Sequence, residues 1–91
     1  MENNICKHLS TLVVHPSTKD YCEECVKTGS SWLHLRVCQT CSAVLCCDSS
    51  PNQHASKHAA HTQHPVIISA EPSEYWGYCY PDDQMTDLDP Y

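Results

Sequence analysis

Two Cys-x-x-Cys pairs, Cys22/Cys25 and Cys38/Cys41, stand 16 residues apart, and His54, His58 and His64 follow them. A two-residue gap lets one tight turn deliver two thiolates to one ion, and zinc takes four soft or borderline donors in a tetrahedron. One pair alone would say little. Two pairs followed by spaced histidines predict zinc. The pattern also bounds the fold, because 91 residues with no Phe form one small domain with a thin core. Such domains lean on disulfides or metal for stability.

Eight cysteines and seven histidines leave both kinds of cross-link open by composition. The start, Met1-Glu2-Asn3-Asn4-Ile5-Cys6-Lys7-His8, has neither the basic residues nor the apolar run of an export signal. A cytoplasmic, reducing location is therefore expected, where cysteines serve more often as metal ligands than as disulfides. A disulfide framework would also leave the histidine spacing without a purpose. The longest aliphatic run, Val66-Ile67-Ile68, is far too short to span a bilayer.

Net charge is −6 with His neutral. Residues 1–70 are balanced, so the excess lies in Glu71, Glu74, Asp82, Asp83, Asp87 and Asp89, a stretch with no Lys or Arg. Nucleic-acid binding needs a basic stripe that displaces counterions from phosphates, and none exists. Anionic membranes are excluded as partners on the same ground.

The chain reads as small α+β. Leu12-Val13-Val14 is a strand candidate closed by His15-Pro16. Cys22 to Thr28 should form a metal knuckle leading into a short helix that stops at Gly29. Trp32–Val37 alternates as a half-buried strand does, and Ala43–Cys46 is a second short strand. Gln53–Thr62 is the main helix, carrying His54, His58 and His61 on one face. Val66–Ser69 and the aromatic run Tyr75–Tyr80 complete the strands. Residues 1–83 are expected as the domain and 84–91 as an acidic, disordered tail.

The order Cys-x-x-Cys, Cys-x-x-Cys, then Cys46, His54, His58 and His64-Pro65, with Cys6-x-His8 before it and Trp76-x-Tyr78 after it, resembles the ubiquitin-protease-type zinc finger. Two segments, His34-Leu35-Arg36-x-Cys38 and Cys46 through Asn52, look closest to its small stand-alone bacterial members. The resemblance implies a zinc-stabilised, twisted antiparallel sheet with one main helix and a short one. It implies one zinc on Cys22, Cys25, Cys46 and His54, and a second on Cys38, Cys41, His58 and His64. A possible third would use Cys6, His8, Cys79 and Asp82, with the carboxylate standing in for a family cysteine. His15, His34, His61 and Cys47 receive no role.

Family members with an open pocket bind the free carboxylate tail of ubiquitin. Trp76 and Tyr78 match two of the pocket positions that the resemblance implies. Arg36 stands where an aromatic is expected, and Asp48 stands near an expected Arg, which weighs against ubiquitin. The expected function is a non-catalytic module in which Arg36, Asp48, Trp76 and Tyr78 bind a peptide tail or partner protein. The alternative is a structural or regulatory zinc protein without a pocket. Redox chemistry at Cys46-Cys47 fits poorly with a Cys46 committed to metal. Hydrolysis would need an open coordination position, which two sites filled by protein donors do not have.

Overall fold

A computed structural model describes residues 7–91. In chain order the elements are α1 (Lys7–Ser10), α2 (Glu23–Thr28), β1 (Leu35–Cys38), β2 (Val44–Cys46), α3 (His54–Thr62), β3 (Val66–Ser69), β4 (Trp76–Cys79) and β5 (Gln84–Asp87). The strands form one antiparallel sheet in the order β2-β1-β3-β4-β5. This is the small α+β architecture the sequence implies.

Each element has a local cause. Cys22 caps α2 by accepting the Cys25 N–H on its sulfur, and Glu23 and Glu24 sit in the first turn, where the helix dipole favours anions. Gly29 ends α2 in the left-handed region at φ 68°, and its N–H bonds back to the Cys25 and Val26 carbonyls. β3 is Val-Ile-Ile-Ser, buried along its whole length, as the central strand of the five must be.

Register sorts the side chains onto two faces. Arg36 pairs with Ser69, Ile67 with Tyr78, Tyr78 with Met85, and Trp76 with Asp87. The pleat therefore puts Arg36, Ile67, Trp76, Tyr78 and Met85 on one face and Val66, Ile68, Gly77 and Cys79 on the other. On the second face Leu9 of α1 packs with Val66 and Cys79. Gly77 permits that approach: a Cβ there would lie 3.2 Å from Leu9 and 3.4 Å from Leu88. The largest fully buried apolar side chains are Leu45, Ile68, Val37 and Val44, and five cysteines accompany them. Thiols fill much of this core.

Three sequence expectations change. Leu12–Val14 is no strand; the chain there is held by the Gln39 side chain, which accepts from the His15 N–H at 2.7 Å and donates to its carbonyl at 2.9 Å. The strand expected from Trp32 begins only at Leu35, because the Leu33 N–H turns to the Ser50 hydroxyl at 2.8 Å instead of a ladder. The stretch 84–91 is not a disordered tail. Gln84–Asp87 pairs with β4, Leu88 packs against the core, and Tyr91 stacks edge-on with Tyr75 and donates to the Ser69 carbonyl. Its acidic residues alternate outward, and Leu88 and Tyr91 anchor the other side.

Candidate metal centres and an adjoining pocket

The helix α2, the end of β2 and the first residue of α3 converge on one cluster. Cys22, Cys25, Cys46 and His54 offer donor atoms within 4.8 Å of one another. His54 Nδ1 lies 3.4 Å from Cys22 Sγ, 3.4 Å from Cys25 Sγ and 3.5 Å from Cys46 Sγ. Cys25 Sγ and Cys46 Sγ are 3.8 Å apart. Around zinc, with bonds of about 2.3 Å to sulfur and about 2.05 Å to nitrogen, tetrahedral edges are about 3.8 Å for S···S, about 3.5 Å for S···N and about 3.3 Å for N···N. The cluster has those edges. Backbone N–H groups of Cys25 and His54 point at Cys22 and Cys46 sulfurs at 3.3 and 3.2 Å, the support a thiolate needs. Burial, followed by the hydrogen bond that the Cys25 thiol donates to Cys22, pushes the Cys25 thiol up to about 12. Ionising these buried thiols together thus calls for a cation among them.

The end of β1, the knuckle after it, and α3 with its exit build a second cluster of Cys38, Cys41, His58 and His64. Cys38 Sγ lies 3.4 Å from His64 Nδ1, Cys41 Sγ 3.3 Å from His58 Nε2, and the two histidine nitrogens are 3.3 Å apart. These too match tetrahedral edges. Burial holds the Cys38 thiol above its ordinary value. Burial and the neighbouring His64 hold His58 below its own, neutral and ready to ligate. His54 and His58 are one turn apart on α3 yet serve different clusters. The helix is thereby tied to both knuckles.

His8, Cys79 and Asp82 form a third group. His8 Nδ1 is 3.4 Å from Cys79 Sγ, while Asp82 Oδ2 is 4.0 Å from it, a looser edge. Cys6, the remaining expected member, lies outside the described residues. His8 and Asp82 are exposed, in contrast to the buried thiols of the first cluster.

On the sheet face that carries Trp76 and Tyr78 is a pocket of about 320 Å³, bounded by Ile67, Tyr80, Met85 and Arg36 on one side and by Cys47, Asp48, Ser49 and Ala55 on the other. Arg36 lies over the Trp76 ring, 4.6 Å from its centroid, and donates one N–H to the Leu35 carbonyl at 2.9 Å. The Ser56 hydroxyl donates to Asp48. Tyr78 donates to Asp83 at 2.5 Å, and that bond, then burial, pushes its phenol up to about 12. Burial would raise the Cys47 thiol, but the Ser50 hydroxyl, backbone groups of His34 and Ser49, and Arg36 together hold it below its ordinary value. All four expected ligand-binding residues thus meet here. Of the aromatic run Tyr75–Tyr80, Trp76, Tyr78 and Tyr80 line the pocket, and Met85 is a lining residue that sequence reasoning missed.

A broader groove of about 970 Å³ runs between Lys19, Tyr21, Trp32, Leu33 and Glu71. Two of its charges are already engaged: Lys19 is 3.9 Å from Glu23, and Glu71 accepts from the Leu35 N–H at 2.9 Å.

The model of a family described as "Zn-finger in ubiquitin-hydrolases and other protein" matches residues 22–90. The chain belongs to this family. The zinc finger spans both complete donor clusters and the pocket strands. It is 33% identical to ubiquitin carboxyl-terminal hydrolase 44 of Ailuropoda melanoleuca over 82% of its own length, but spans only 10% of that relative. It is also similar to protein RPA1320 of Rhodopseudomonas palustris, solved by solution NMR, at 45% identity and a TM-score of 0.81. That match covers 96% of this chain and 85% of the other. The cysteine and histidine clusters of the zinc finger can hold two or three metal ions. No helix among the described residues is long and apolar enough to cross a membrane.

Proposed function

We propose that the protein is a non-catalytic recognition module that docks a peptide tail or the terminal segment of a partner protein in the Trp76 pocket. The supporting observation is Arg36, lying over the Trp76 ring with most of its five N–H donors uncommitted, inside a concave, aromatic-lined site at the small end of the usual ligand-pocket range. In this reading Cys22, Cys25, Cys46 and His54 hold one zinc, and Cys38, Cys41, His58 and His64 a second. The third group, with Cys6, completes a weaker site. When bound, zinc neutralises buried thiolates and cross-links segments. The protein's own residues then do the recognition. Four protein donors at each complete cluster leave no position for a reacting water, which favours the non-catalytic reading. The acidic surface disfavours nucleic acid and anionic membrane as partners. A location in the cytoplasm fits the thiol-rich ligand sets.

An array of peptides with free C-termini, probed with the zinc-loaded protein and with Trp76→Ala, tests this. Binding by the wild type that is lost in Trp76→Ala is expected. An array on which both are silent would favour the purely structural or regulatory reading.

A further inference from the structure

Arg36 and Asp48 line the same small pocket, yet they form no ion pair. Among the described residues the ion pairs are Lys19–Glu23, Lys27–Glu24 and His34–Glu71. Opposite charges that share a pocket without meeting leave room for a ligand that contacts both.

Arg36 covers Trp76, whereas Asp83, outside the pocket lining, accepts from the hydroxyl of Tyr78, two residues further along β4. Ile67, Tyr78 and Met85 form one row across this face of the sheet, an apolar floor suited to methylene groups. Asp48 faces this floor from the loop after β2 and spends one oxygen on Ser56.

Charge balance decides what the ligand must bring. One guanidinium stands against Asp48 and Asp83, with Asp87 paired across from Trp76. A terminus with only a carboxylate would add a further negative charge to this surplus. A terminus that also carries a cation would relieve it. Met85, on the edge strand β5, is 65% exposed and leaves the pocket rim open for a chain to leave over an apolar surface.

We propose that the pocket receives the C-terminal residue of a peptide whose side chain is cationic, lysine or arginine, with the carboxylate on Arg36 and the cation between Asp48 and Asp83. This rests on the reading of the pocket as a tail receptor and deepens it. The aromatic rings of Trp76, Tyr78 and Tyr80 enclose the stem, and their faces favour the cation.

Amide NMR titration of the zinc-loaded full chain tests it, with peptides of one common body ending in lysine acid, lysine amide, norleucine acid or glycyl-glycine acid, and with free lysine. The lysine acid peptide should bind, and the amide and norleucine versions should bind roughly tenfold or more weakly, since each loses a charge-assisted contact. Asp48→Asn, an exposed substitution, should weaken the lysine acid peptide and leave the norleucine one unchanged. Norleucine or glycyl-glycine tails binding as well as lysine would overturn the cationic side chain while leaving the tail reading intact. An amide as tight as the acid would overturn the role given to Arg36. Free lysine as tight as the peptide would make this an amino-acid site and not a tail site. Silence from every probe would remove both readings.

Discussion

At position 48 an aspartate stands near where ubiquitin-binding members are expected to place an arginine, and the arginine of this pocket instead rises from β1 at position 36. Losing a charge-assisted partner costs roughly 1.5–3 kcal/mol per bond, and Asp48 adds repulsion to that loss. Arg36 approaches a tail from a different strand, and its stacking on Trp76 occupies a ring face that a tail would otherwise use. Ubiquitin should therefore bind no tighter than about 100 μM, near −5.5 kcal/mol. Titration with ubiquitin, and with ubiquitin lacking its two last glycines, checks this. Micromolar binding that disappears with the truncated form would show that Arg36 replaces the missing arginine. At residue scale the spacing of thiols and imidazoles pointed to zinc, whereas the division of the donors into two clusters came from the family resemblance. The pocket was only partly legible, since Met85 reaches it through a β4–β5 register that no local pattern announces.

At the scale of elements, α3 is the clamp. Its mean composition is not strongly apolar, and only Ala55 and Ala59 among its residues are buried, so packing alone holds it weakly. What fixes it is His54 on one cluster and His58 on the other, one turn apart. His54→Ala and His58→Ala should each lower the zinc count by one in native mass spectrometry, and the retained ion should differ between them. His61→Ala, on the same helix but in neither cluster, should leave the count unchanged. Equal counts in all three variants would refute the division of the helix between two sites. The helix and most strands could be read from periodicity, and Gly29 and Pro65 marked real ends. β5 was hidden because Asp87, with Asp83 and Asp89 on either side of the strand, reads as a solvated tail. Only pairing with β4, and the anchoring of Leu88 and Tyr91, makes that stretch an edge strand with Asp87 exposed. Conversely Leu12–Val14 had the composition of a strand but no neighbour to pair with.

For the whole molecule, stability rests on metal more than on apolar burial. Four fully buried aliphatic side chains, Leu45, Ile68, Val37 and Val44, each contribute about 1.5–3 kcal/mol. A single structural zinc supplies an apparent 10–16 kcal/mol or so at neutral pH, because the site does not exist in the unfolded chain. Two such ions would outweigh these four side chains. Without them, Cys22, Cys25, Cys38 and Cys46 remain buried beside imidazoles, and burial raises Cys25 and Cys38 so that the protonated thiols prevail. Those protons must leave before metal returns, so loading should weaken as pH falls. A strong chelator at neutral pH is thus expected to abolish the dispersed amide spectrum, and readdition of zinc to restore it. Mild acid should have the same effect at a higher pH in the presence of a weak chelator than in its absence. Asp82→Ala should differ in kind: it should remove or weaken one exposed site while the dispersed spectrum persists, since α1 is also held by Leu9 packing on Val66 and Cys79. A chelated sample that kept its dispersed spectrum would show that the sheet and its thiol-lined core suffice, and the metal would then be a ligand of this fold and not its foundation.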